Sequence, residues 1–399
     1  MIAFPKHNQK QAEYEALKEF EHDSPTNFLI HTNKVQAGTS SPAHRLPNML
    51  QKRVERLGKA KAHNKLMVAH IGEALDRDEY MFGCCNPRTD KLHQRMSSCA
   101  NWLEFRHYIE QDENRLTSAN FCGKHLLCQA CAVRRGALLL QKHHENIEHV
   151  LSEHDGLQAW MLTLTVKNGD DLSERFDHLQ SAFKKLQKQR MNYLKKPDRN
   201  PFTEFAKIEG AVFSYEVPKS KDGESWHPHL HALIVGHEKP EMGHVEFVNG
   251  VYVPEKSHGL RYEFYKITGD SFMLDCRRKK RQPIIDMCME VMKYAVKFSA
   301  QSVEDTWSAF QVLNGRRLFG SFGILRGVKI PANLLDEKLQ GPYIEYVMAY
   351  LDGGHYEVER VTDCSELYDG YTSLNCSHSP VVGGSSPPTQ KDMFDRMQL

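Results

Sequence analysis

The stretch SWHPHLHALIVG, residues 225–236, sets histidines at 227, 229 and 231 directly before the apolar run ALIV. Read as a strand over 229–235, it alternates its side chains between two faces. His229 and His231 then share one face, and Leu230 points into the opposite layer. With 22 histidines in 399 residues, roughly one such pair arises by chance, so the surroundings decide its meaning.

Those surroundings alternate as strands and helices do. WMLTLTV (160–166) has the period of a strand. After the turn NGDD, Phe176, Leu179, Phe183 and Leu186 recur on one helical face, with lysines on the other. AVFSYEV (211–217) is a second strand, PKSKDGES a turn, HLHALIV the third strand and SFMLDCR (271–277) a fourth. DMCMEVMKYAVKF (286–298) has a helical pattern. The order predicts an α+β fold: an antiparallel, ferredoxin-like sheet with helices on one face.

Around this core we expect a flexible N-terminal arm over 1–45 and a helical segment over 46–83. A cysteine-rich module with a following helix is expected over 84–150, and the sheet domain over 155–300. A folded extension (301–355) and a disordered tail (356–399) complete the reading. No stretch has the length and apolarity of a membrane span, and MIAFPKHNQKQ lacks the pattern of a secretory signal, so a cytoplasmic location is expected. Net charge is only +1, yet basic residues crowd 184–199 and 277–281, with pairs at Arg134/Arg135 and Arg316/Arg317. Lys184, Lys185, Lys188, Arg190, Arg134 and Arg135 are candidates for contacts with DNA phosphates.

Six of the ten cysteines fall between 84 and 131. NFCGKHLLCQACAVRRG spaces Cys122, Cys128 and Cys131 as a knuckle that can hold a structural Zn²⁺. Cys99 is the expected fourth ligand, His125 its rival, and Cys84 and Cys85 are further candidates. Cys276, Cys288, Cys364 and Cys376 read as plain thiols.

Two imidazoles on one strand face make half of a metal site, and Glu216 on the neighbouring strand can add a carboxylate. This donor set suits Mg²⁺ or Mn²⁺ acting on a phosphodiester. His227 reads as a flank. On the later helix Glu290, Tyr294 and Lys297 stand at i, i+4 and i+7. A metal-assisted phenol is a nucleophile, a lysine can favour its phenolate, and a carboxylate one turn away can activate water.

In these motifs the chain resembles the rolling-circle replication initiators (Rep proteins) of small bacterial plasmids, the single-tyrosine branch of the HUH endonuclease superfamily. WMLTLTV, WHPHLHALI and EVMKYAVK resemble the three nuclease motifs in order. SCANWLEF with SANFCGKHLLCQACAVRRG resembles the upstream cysteine module, and NGRRLFGSFGILRGVKIP the segment that follows. The resemblance implies attack by Tyr294 on one strand at the double-strand origin of the plasmid, giving a 5′-phosphotyrosine and a free 3′-hydroxyl. It makes His229 and His231 metal ligands and gives Glu290 the closing step. Single-stranded or extruded origin DNA, a host helicase and a DNA polymerase are its implied partners. The stretch HLLCQAC departs from the family in lacking Arg before the cysteine pair and Pro within it. Competing readings are an HUH transposase or mobilisation relaxase, a metal-dependent hydrolase of small molecules, and a non-catalytic, zinc-containing DNA-binding regulator.

Overall fold

The computed structural model describes residues 46–82, 86–220, 223–248, 251–255, 258–278, 283–292, 302–330, 333–351 and 354–364. They fall into two compact units, one within 124–332 and the other formed by the segments flanking it.

The flanking unit opens with the long helix α1 (Asn48–Phe82) and α2 (Pro87–Ser97), followed by strands β1 (Trp102–Tyr108) and β2 (Glu113–Ala119). On α1, Leu50, Val54, Leu57, Met67 and Ile71 recur at helical spacing and are buried. Lys61 lies buried among them, donating from Nζ to the carbonyls of Ser97 (3.0 Å) and Cys99 (2.7 Å). A cation at the last turn of α2 satisfies carbonyls that the helix itself leaves open.

The 124–332 unit runs α3 (Gln129–Glu153), β3 (Gln158–Thr165), α4 (Leu172–Lys195), β4 (Gly210–Glu216) and β5 (His229–Gly236). A hairpin, β6 (Val245–Val248) and β7 (Val251–Pro254), comes next. Then follow α5 (Leu260–Thr268), β8 (Leu274–Arg277), α6 (Ile284–Met292), α7 (Val303–Leu313) and β9 (Phe319–Gly323). Its main sheet has the order β8-β3-β5-β4-β9, with every neighbouring pair antiparallel.

Helices cover both faces of this sheet, not one as expected from the sequence. The reason lies in β4, which is buried at all seven positions and must be packed on both sides. Phe176 and Phe183 of α4 meet Tyr215 and Phe213 edge-on at 5.3 and 4.9 Å. Against the alternate residues, Val212, Leu233 and Val235, pack Leu139, Leu140 and Ile147 of α3 and Met287, Cys288 and Val291 of α6.

The expected segment boundaries also shift. Residues 124–150 fold with the main sheet and not with 86–123. The extension expected over 301–355 divides. Its first part supplies α7 and β9, while β10 (Tyr343–Tyr350) pairs with β1. The tail expected to be disordered from 356 begins as strand β11 (Tyr356–Asp363), which pairs with β10. The flanking unit thereby holds a second antiparallel sheet, β11-β10-β1-β2. The expected arm, 1–45, and residues 365–399 lie outside the described residues.

Candidate metal-centred active site

Strand register builds the first cluster. Glu216 on β4 stands directly across from His229 on β5, and Ser214 across from His231. Residues opposite one another in an antiparallel pair share a face. On the other side of β5, Thr163 of β3 stands across from His231.

One donor atom from each of Glu216, His229 and His231 lies within 4.8 Å of the others. Glu216 is wholly buried and His229 only 8% exposed. The carboxylate oxygen Oε2 of Glu216 is 3.1 Å from Nε2 of His229 and 3.8 Å from Nε2 of His231. The two rings meet nearly at right angles, 4.7 Å apart.

The opposite edge of each ring is already engaged. His229 Nδ1 lies 3.0 Å from the carbonyl of His227, an acceptor only, so Nδ1 carries the proton and donates. In the neutral ring that leaves an Nε2 lone pair aimed at Glu216. His231 Nδ1 lies 3.1 Å from the hydroxyl of Thr163. A lone pair facing a buried carboxylate at 3.1 Å calls for a proton or a cation between them. The oxygen–nitrogen–nitrogen donor set therefore fits a divalent ion, with outer groups fixing the rings as metal-site histidines require.

His227 is not part of this cluster; its Nδ1 pairs with Asn168 Oδ1. Thr163 and the His227 carbonyl were not singled out in the sequence. Thr163 falls in phase with His231 once the register is known, but a backbone carbonyl leaves no residue-type signal.

Helix α6 precedes in sequence the residues expected to carry the nucleophile. It packs on the same sheet face as the histidines through Met287, Cys288 and Val291. Glu290 on this helix is half-buried. Tyr294 and Lys297 lie outside the described residues.

The second cluster is the cysteine group. The sulfur atoms of Cys99, Cys122, Cys128 and Cys131 lie within 4.8 Å of one another, and all four residues are buried. Cys99 Sγ accepts the backbone N–H of Cys122 at 3.2 Å. Cys128 caps α3 and Cys131 sits in its first turn. Helix N-termini favour thiolates, the form that binds metal. Cys99, and not His125, completes the group among the described residues. Cys84, Cys85 and Cys376 lie outside them. Burial pushes the thiols of Cys276 and Cys288 up, to about 11 and about 12.

Of the cations expected at DNA, Lys184, Lys185 and Lys188 are exposed on α4. Arg190 and Arg134 are not surface groups. Arg190 is buried, with Nε donating to the Ile208 carbonyl at 2.7 Å, and Arg134 is only 1% exposed. Both lie on the buried sides of their helices, and Arg190 carries its charge inward to the carbonyls of Ile208 and Glu209. Arg135 is half-buried, which lowers its pKa.

These features define a class, an α+β protein with a Glu–His–His group that could hold a metal ion on an antiparallel sheet and a separate four-cysteine group. Sequence comparison narrows it. Residues 113–240 match the model of the family described as "Replication protein". "Protein rep" of a Bacillus species is 26% identical over 281 residues, 63% of this chain and 83% of that protein. "Protein rep" of Bacillus amyloliquefaciens is 25% identical over 281 residues (63% and 76%). "Protein rep" of Streptococcus pneumoniae is 25% identical over 249 residues (60% and 72%). No solved structure matches. The resemblance to Rep proteins read from the motifs is thus borne out, with Cys122, Cys128, Cys131, Glu216, His229 and His231 inside the matched segment. No helix among the described residues is long and apolar enough to cross a membrane.

Proposed function

We propose that this protein initiates rolling-circle replication of a plasmid by nicking one strand at the double-strand origin. The observation that carries the reading is the cluster of Glu216, His229 and His231, held on adjacent strands of a rigid sheet. A divalent ion bound there, Mg²⁺ or Mn²⁺, supplies Lewis-acid polarisation of the scissile phosphate. Glu216 and the two imidazoles would hold it, and Thr163 and the His227 carbonyl would keep the rings turned towards it.

Tyr294 is the nucleophile. Its oxygen bonds to phosphorus as the phenolic proton leaves, and the bond to the 3′-oxygen breaks. That oxygen gains a proton and becomes the free 3′-hydroxyl for a polymerase. One phosphodiester replaces another, so strand closure needs no nucleotide hydrolysis. Lys297 favours the phenolate, and Glu290 activates water or a hydroxyl in the closing step. The four cysteines hold a structural Zn²⁺, a saturated site with no open position for chemistry. Lys184, Lys185 and Lys188 guide the DNA backbone. The protein acts in the cytoplasm on origin DNA alongside a host helicase and polymerase.

Supercoiled plasmid bearing the protein's own origin tests this. With Mn²⁺ the protein should convert it to nicked circles, and EDTA should stop the conversion. Glu216→Gln should lower both nicking and Mn²⁺ affinity, by on the order of 100-fold. Glu290→Ala should still nick but fail to terminate. Nicking that persists in EDTA, or a Glu216→Gln protein that binds Mn²⁺ normally, would overturn the assignment.

A further inference from the structure

Register lines up Asp275, Thr163, His231, Ser214 and Phe319 across the main sheet, each on its own strand in the order β8-β3-β5-β4-β9. Residues paired in this way share a face. Ser214 therefore stands beside His231 on the face that carries Glu216 and His229, and Glu216 follows it on the same side of β4. On the other flank of His231, the Thr163 hydroxyl is already engaged with Nδ1 at 3.1 Å.

Ser214 has no such engagement. It is 3% exposed, and its Oγ meets no hydrogen-bond partner among the described residues. Its neighbour on β9, Phe319, has an apolar side chain. Val212 and Leu233, next along the two strands on this face, lie in the apolar core beneath α3 and α6. A buried hydroxyl without a partner is costly, and an alanine would pack there without that cost. The one unpartnered oxygen of this row thus sits next to a candidate metal ligand. A serine oxygen is attached directly to Cβ, whereas Nε2 lies at the far edge of the imidazole. An ion held by Nε2 of His231 is best met from Ser214 through a water.

We propose that Ser214 is a positioning residue of the metal centre, its hydroxyl accepting a hydrogen bond from a water carried by the bound divalent ion. This rests on the reading of Glu216, His229 and His231 as ligands of that ion. The consequence is selectivity. Mg²⁺ and Mn²⁺ keep waters when bound to protein, whereas Zn²⁺ is satisfied by a small tetrahedral set. A hydroxyl placed to hold a water favours the ions that keep one.

The test uses the full-length protein, given Zn²⁺ to fill the cysteine group and then freed of excess metal. Mn²⁺ binding is read from the electron paramagnetic resonance signal of the free ion, and Zn²⁺ binding at the same site from displacement of Mn²⁺. Ser214→Ala should weaken Mn²⁺ binding about tenfold and leave Zn²⁺ affinity at that site unchanged. Ser214→Thr, which restores the hydroxyl, should bind both ions as the parent does. Without added divalent ion, Ser214→Ala should melt no lower than the parent, because it removes an unpartnered buried hydroxyl. A lower melting point, or an equal fall in affinity for both ions, would mean that the serine only supports the strand and would overturn the proposal. If the parent binds no Mn²⁺ that Glu216→Gln abolishes, the metal reading itself fails. If Glu216→Gln loses Mn²⁺ while Ser214→Ala binds it with the parent's affinity, the role of Ser214 alone fails.

Discussion

A buried carboxylate oxygen that faces one imidazole nitrogen at 3.1 Å and a second at 3.8 Å is a stronger sign of a cation site than two histidines in a row. The sequence could offer His229 and His231 as a pair. It offered Glu216 only because an acid on the adjacent strand was in reach; the register that sets it against His229 is a property of the folded hairpin. Arginines show the opposite failure. Arg134 and Arg190 read as surface cations because a charge carries no label for its partners, yet both are buried. A third buried base gives a residue-scale prediction. His143 on α3 is 3% exposed, with its ring 5.1 Å from Phe319, and burial lowers its pKa to about 4. The unfolded chain protonates this group near 6.5. Its contribution is therefore intact above pH 6.5 and declines as pH falls towards 4, because the unfolded state binds the proton first. At pH 5 the loss should be about 2 kcal/mol. Urea unfolding of His143→Leu should show a smaller fall in stability between pH 7 and pH 5 than the parent. An identical fall in both would show that another group drives it.

At the scale of elements, the readable parts were those whose periodicity is local. The strands of the main sheet and helix α4 announce themselves by alternation or by an apolar stripe. Within α4, Asp171 is the N-cap, its side chain accepting the Glu174 N–H at 3.1 Å. Replacing it with alanine should cost about 1 kcal/mol, read as a lower denaturation midpoint; no change would mean that the cap contributes nothing. The second sheet was not readable for a physical reason. In β1 (WLEFRHY) apolar, charged and aromatic residues mix, and its partner β10 lies more than 200 positions along the chain. Nothing local to β1 specifies that pairing. The short β9 (FGSFG) carries little strand pattern either, because two of its five residues are glycines, which weaken it. The second layer of helices has a signal in the sequence. The run ALIV (232–235) is apolar on both alternating faces, which a sheet covered on one side cannot satisfy.

Over the whole molecule, a net charge of +1 excludes a polycation but not a DNA-binding protein. What matters is where the cations are exposed, and α4 exposes Lys184, Lys185 and Lys188 while Arg190 turns inward. The cluster on one face of the sheet and the basic helix on the other give the DNA-processing reading its two halves, chemistry and grip. The proposed nucleophile comes next in the sequence. Helix α6 runs on the histidine side of the sheet, and Tyr294 follows it in sequence two residues after the helix's last described position, Met292. The most direct measurement is peptide mapping of the covalent product. Full-length protein, Mn²⁺ and a labelled origin oligonucleotide should yield an adduct on denaturing gels, and mass spectrometry should place the nucleotide remnant on Tyr294, with none formed by Tyr294→Phe. An adduct mapped to another residue, or cleavage by Tyr294→Phe at the parent's rate, would contradict the account.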